Sequence, residues 1–334
     1  MKGTIEYETL VYDANPDSRI IAAENGYGLD ILVQDPVPEV RRAVAMQGYH
    51  LNILANDSDH MVAEAAKYMS LVKSRKSYER IEAAEHGFGL DTLVYDYDSE
   101  VRVAVARQGY GFETLVKDED WSVRKAVAEQ GYGLNILIYD KVSSVREAVA
   151  NQGYGLDILV HDKDWAVRAA VAKQGFGLNI LIRDKDWYVR AEVACQGYGL
   201  DILVKDNDSG VRTAVASQGY GMDILINDPV AEVRKEVANQ GYSLDKLLHD
   251  EHWLVRSAVA SQGYGLEILI KDEEEDVRIS VAEQGYRLDI LARDPEPNVR
   301  FAVVLQGCYL EELINDEDPG VKQAAKEALR KANN

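Results

Sequence analysis

Asp206 to Asn227 reads DNDSGVRTAVASQGYGMDILIN, and the same 22-residue phrase returns, with small changes, along nearly the whole chain. With Asp206 as position 0, equivalent aspartates stand at 13, 35 and 57, and then at every 22nd residue from Asp96 to Asp316. Self-similarity at a fixed short period is the signature of a repeat array, in which no single copy can bury its own apolar side. Between Asp57 and Asp96 the interval is 39, one shortened copy of 17 and one of 22, with Ser74 in place of the missing aspartate. About fifteen copies result, and residues 57–95 form the one irregular joint. YETLVYD, ahead of Asp13, matches the end of a copy, so residues 1–12 are expected to be a half-repeat cap; GVKQAAKEALRKANN predicts a capping helix over 316–334. With no linker or shift of composition in between, residues 1–334 are expected to be one continuous array.

Within a copy, positions 5, 8, 9 and 12 (Val211, Ala214, Val215 and Gln218) fall on one side of a helix at about 100° per residue. Position 0 is expected to be the N-cap, and Gly219 at position 13 suits the left-handed residue that ends a helix. After the GYG turn comes MDILI, long enough for one or two turns of α or 3₁₀ helix. Leucine at position 19, as in Leu159, Leu181 and Leu203, is expected to fill the space between the two helical layers. The fold class is therefore all-α: a solenoid of long helices alternating with short ones.

Several columns invite chemistry. Arginine at position 6 recurs thirteen times, from Arg19 to Arg300; beside the aspartate column it reads as Arg-to-Asp pairs between adjacent copies rather than as a phosphate-binding ladder. Glutamine at position 12, from Gln47 to Gln306, is placed to satisfy backbone groups between copies. Tyr or Phe at position 14, as in Tyr154 and Phe176, is expected to stack along the array edge. Recurring DxD pairs, such as Asp162 with Asp164, lack the glycine and distal glutamate of a calcium loop and read as helix-start carboxylates, so no metal is expected.

DKDWAVRAAVA, Asp162 to Ala172, resembles the second helix of HEAT repeats, and the short period resembles the leucine-rich repeat variant family more closely. The latter resemblance covers nearly the whole chain and implies alternating α and 3₁₀ helices in a right-handed superhelix. This chain has QGYG where that family usually carries prolines, and it lacks a cysteine cluster that could hold iron and sulfur. Only the fold is carried over, because one architecture serves many functions.

A net charge of −20 disfavours direct binding to nucleic-acid phosphates and favours a basic partner. GxSxG, P-loop and HExxH motifs are absent, which points away from an enzyme and from any cofactor. His161, His249 and His252 read as surface residues, and Cys195 and Cys308 as free thiols. The sequence contains no run of 18 apolar residues and starts without a secretory signal, so no membrane span and a cytoplasmic location are expected. Since every copy obeys the same packing, variable positions mark free surface. Positions 3, 4, 7 and 11 vary and are expected to form a solvent-facing ridge. All four tryptophans, Trp121, Trp165, Trp187 and Trp253, occupy position 3, with Tyr188 beside the third. Fourteen aspartates at position 0 and nine acids at position 2, among them Asp120, Asp164 and Asp186, run along the same edge. These eight named residues are the candidate partner site, suited to a protein or a Lys- and Arg-rich peptide. Three alternatives stay open: each indole folds over the start of its neighbour's helix, the acidic edge is a solvated capping edge that keeps the protein soluble, or the acidic rod mimics nucleic acid and inhibits a DNA- or RNA-binding protein.

Overall fold

The computed structural model describes residues 7–332, which form 29 helices with no strand among them. The chain divides into two compact units, Met1–Ala170 and Val171–Asn334. In both, helices of nine residues alternate with helices of four, for example Trp187–Cys195, Leu200–Leu203, Ser209–Ser217 and Met222–Leu225 in the C-terminal unit. Long helices pack on one another in chain order, and short helices pack against the long helices next to them in the chain. This is a helical repeat array.

Packing follows the sequence pattern. Val211, Val215 and Ala216 at positions 5, 9 and 10 are buried, as are Leu203 and Leu225 at position 19. Each such leucine contributes roughly 1.5–3 kcal/mol by leaving water, and the contribution repeats with every copy. The short segments are single α-turns. Leu225 and Ile226 donate to the carbonyls four residues back, while Ile224 donates to Gly221 three residues back, so 3₁₀-type bonds only tighten the entry.

Position 0 is not the N-cap. Helix Ser209–Ser217 begins at position 3 and is capped by Asp208 at position 2, whose Oδ1 accepts from the Gly210 N–H at 2.8 Å. Asp206 instead accepts from the Asp208 N–H through Oδ1 at 2.9 Å, bending the chain one step ahead of the helix. Both sites offer a short acceptor near free N–H groups, and the arginine described below claims the first.

Gly219 ends the long helix at φ 72°, as the C′ residue does in general. Gly221 enters the short helix at φ 65°, and a Cβ there would lie 2.5 Å from Cγ2 of Val204 in the preceding copy. The second glycine thus serves both conformation and close approach.

At the joint, one helix of twelve residues, His60–Leu71, runs straight through the place of the glycine turn and short helix. Tyr68 on this helix is buried, its ring stacked 4.0 Å from His86 and 5.3 Å from Phe88, and Lys67 Nζ lies over the same ring, 4.6 Å from its centroid. His86 holds position 12, where glutamine stands elsewhere, so an aromatic stack fills what the deleted turn would have occupied.

In the segment expected to be an N-terminal half-repeat cap stands helix Tyr7–Leu10; residues 1–6 of that segment lie outside the described residues. In the segment expected to be a C-terminal cap stands helix Pro319–Ala332, with Val321 and Ala325 buried and Arg330 and Lys331 in the last turn, where the helix dipole favours cations. Residues 333–334 of that expected cap also lie outside the described residues.

Candidate functional site

The arginine column forms forks between successive repeats. Arg212 Nε donates to Asp228 Oδ2 at 2.6 Å and Nη2 to Oδ1 at 2.9 Å, while Nη1 donates to the Asp206 carbonyl of its own repeat at 2.7 Å. The same rung runs from Arg19–Asp35 to Arg146–Asp162 in the N-terminal unit and from Arg190–Asp206 to Arg300–Asp316 in the C-terminal unit. Planar bidentate pairing is the geometry for which guanidinium is suited and ammonium is not. Burial alone would raise the Asp206 carboxyl, but the Arg190 fork and the Asp208 N–H outweigh it and hold the group below the usual carboxylate range. For Asp316 the Arg300 fork is the main cause of the same depression.

This ladder changes the acidic edge that the composition suggests. The position-0 carboxylates are largely buried and neutralised, with side chains such as Asp228 and Asp294 only 5% and 6% exposed. What remains on the edge is the position-2 column and the exposed acids at position 1, such as Glu251 and Glu273. Asp120, Asp164 and Asp186 each use Oδ1 to cap a long helix, accepting from the N–H of Ser122, Ala166 and Tyr188 at 2.8, 3.0 and 2.9 Å. The Ser122 hydroxyl and N–H hold the Asp120 carboxyl below its ordinary range. In a DxD pair such as Asp206 and Asp208, one carboxylate therefore serves the ladder and the other the cap.

Immediately after those caps stand the tryptophans, as the first residues of their helices. Trp121, Trp165 and Trp187 share one exposure, 46%. The neighbour of Trp187 is Gly210 in the next repeat, where a Cβ would lie 2.7 Å from Cζ3 and 3.0 Å from Cε3 of the indole. One side of this ring thus rests on the first turn of the next long helix while nearly half of its surface stays open. Tyr188 stands edge-on to it at 5.6 Å, and Lys173 reaches over the tyrosine ring at 5.7 Å and to Glu192 at 3.4 Å. Trp253 departs from the row: it is less exposed and stacks at 5.9 Å on His252, whose Nδ1 takes the capping role by accepting from the Leu254 N–H.

Two columns differ from the sequence reading. Position 7 is not uniformly a ridge: Val103, Ala169 and Ala191 are buried, because this position faces the gap between neighbouring long helices and small apolar side chains close it. Position-14 rings meet position 16 of the preceding repeat, as Tyr132 stacks on Phe112 at 5.0 Å and Tyr27 on Tyr7 at 5.3 Å. The glutamines act as the sequence suggests in several repeats: Gln47, Gln108 and Gln152 donate through Nε2 to the carbonyls of Glu24, Glu85 and Glu129 in the repeat before. Partial burial and then the Glu192 carboxylate push the Cys195 thiol up, away from the thiolate a nucleophile needs.

One exposed column escaped the sequence reading. Isoleucine at position 18 of the short helices is 45–55% exposed at Ile31, Ile53, Ile158, Ile202 and Ile224. In a stretch as short as MDILI, a single turn gives too little periodicity to separate the buried leucine from the exposed isoleucine. The signal that could have found it is substitution within the chain, since Thr92, Thr114, Lys246 and Glu312 occupy the same position.

No family model and no curated protein sequence matches the chain. Among solved structures, an engineered protein is similar at 17% identity over 98% of both chains, with a TM-score of 0.26. YibA of Escherichia coli is similar at 17% identity over 77% of this chain and 98% of its own, with a TM-score of 0.23. A microtubule polymerase with arrays of TOG domains, described in terms of tubulin recruitment, is similar at 12% identity over 97% and 91% of the two chains, also at 0.23. At these scores the likenesses carry no argument about shape or partner. Among the described residues no helix is long and apolar enough to cross a membrane.

Proposed function

We propose that the protein is a non-catalytic binding scaffold that recognises protein segments or peptides rich in Lys and Arg at the tryptophan-bearing starts of its long helices, Trp121 and Trp165 in the N-terminal unit and Trp187 in the C-terminal unit. The observation that carries this reading is the common pose of the three indoles, each 46% exposed at the first position of a long helix directly after a capping aspartate. A ring already seated on its neighbour, as Trp187 is on Gly210, loses little freedom when a ligand arrives. Its open face suits a guanidinium, and the capping carboxylate beside it adds attraction for a cationic side chain. Tryptophan and tyrosine at such a place are the residue types that most often dominate binding energy.

Intrinsic tryptophan fluorescence gives a direct test. Titration with Arg-rich peptides should change the emission of the exposed indoles with an affinity that weakens as salt rises, whereas acidic peptides of equal length should have no effect. Duplex DNA should not displace a bound basic peptide. Equal response to basic and acidic peptides, or no response to either, would remove the proposal.

A further inference from the structure

A second surface of the C-terminal unit, the outer side of its short helices, has a pattern that specifies its own partner. Ile180, Ile202, Ile224, Ile268 and Ile290 stand half-exposed at position 18 of successive short helices, interrupted once by Lys246. The fold does not require isoleucine there, because Thr92 and Thr114 hold the same position in the N-terminal unit with their short helices intact. Position 17, at the start of each short helix, carries Asp201, Asp223, Asp245 and Glu267, all exposed. Position 21, just past its end and about 6 Å further along the helix direction, carries the exposed Arg183, Lys205, Lys271 and Arg293, with Asn227 and His249 between them and Arg293 already forked to Glu312. The apolar row is therefore flanked by an acidic margin on one side and a basic margin on the other. On a chain of net charge −20 this strip is locally balanced.

We infer that this strip is the self-association surface of the protein, and that a second copy covers it. The charge order selects the symmetry. A two-fold axis lying in the interface and parallel to the stacking direction of the short helices lays isoleucine on isoleucine, with Lys246 meeting its own counterpart in one repeat, and the acidic margin of each copy on the basic margin of the other. An axis at right angles to that direction lays like charge on like. The pair is isologous, with repeats of the same number facing each other and both chains running the same way.

Sedimentation velocity on the full chain over a wide concentration range tests the inference. The wild type should form dimers, and the double variant Ile202→Thr/Ile224→Thr should dissociate at least tenfold more readily while its melting curve stays unchanged. A charge exchange tests the margins: Lys205→Glu/Lys271→Glu and Asp201→Lys/Glu267→Lys should each be monomeric alone and dimerise when mixed. A wild type that stays monomeric at the highest concentration reached, or a dimer indifferent to both sets of variants, would overturn it. So would recovery of each charge variant with itself rather than with the other.

Discussion

Arg234 and Asp250 lie sixteen residues apart in successive repeats and meet through two parallel hydrogen bonds, Nε to Oδ2 at 2.7 Å and Nη2 to Oδ1 at 2.8 Å. The same guanidinium donates through Nη1 to the Asp228 carbonyl at 2.8 Å, so one side chain ties the start of its own repeat to the start of the next. The joint shows that the two partners are a unit. Where the ladder is interrupted, the repeat of Asp57 has Ala63 in the arginine position and the following repeat has Ser74 in the aspartate position. Both charges are gone together, which avoids an unpaired buried ion.

That coupling gives a first expected outcome. Arg234→Ala leaves Asp250 buried without its partner and should cost about 3–5 kcal/mol, as breaking a buried pair does. Adding Asp250→Ser, which repeats what the joint already contains, should recover part of the loss. A double-mutant cycle in chemical denaturation checks this, and strictly additive effects would show that the fork contributes nothing as a pair.

The depressed carboxyls set the response to acid. Asp162, Asp206, Asp250 and Asp272 are each raised by burial but more strongly lowered by the arginine fork and a backbone N–H, with a net shift below the ordinary value. A group whose folded value is depressed contributes stability that is fully present above its unfolded value, about 4 for aspartate, and is lost as pH falls through the lower folded value. Thermal stability should therefore be flat with respect to these groups from neutrality down to about pH 4 and fall steeply below it. A melting series across acid pH that declines instead between neutrality and about pH 5 would contradict this assignment.

Four repeats lack the second glycine. His50, Ser243, Arg287 and Tyr309 hold its place at φ 45–54°, a region that costs side chains bearing a Cβ roughly 1–2 kcal/mol. Ser243→Gly should accordingly raise stability by up to about 1 kcal/mol. In the reverse direction, Gly221→Ala must displace Val204 and should lower it. Denaturant midpoints of the two variants against the wild type measure both signs at once.

Much of this was legible in the sequence because repetition multiplies weak signals. The period, the glycine turn, the buried Leu225 and the Arg212–Asp228 pairing all follow from columns whose residue types leave few physical options. What failed to show was decided by distances between repeats. Asp206 and Asp208 have equal capping propensity, and only the reach of Arg190 from the previous repeat assigns one to the ladder and the other to the cap. Val103 and Ala191 look free because their column varies, yet they close the gap between neighbouring helices. At the joint, nothing in MSLVKSRKSYER announces a helix continuing to Leu71, since the deletion removes the glycine that would have ended it. The tryptophans were legible as a row, and an indole folded over the start of its neighbour's helix was one of the readings left open, but nothing singled out Gly210, a small residue one repeat further on, as the seat of Trp187.

The central functional claim rests on those indoles, and affinity measured together with melting temperature on one variant tests it most directly. For Trp165→Ala/Trp187→Ala, binding of an Arg-rich peptide should weaken by about 2 kcal/mol or more, while the melting temperature falls only by the modest amount expected from half-buried rings. A large fall in melting temperature with peptide affinity unchanged would contradict the account and leave the tryptophans as packing between repeats.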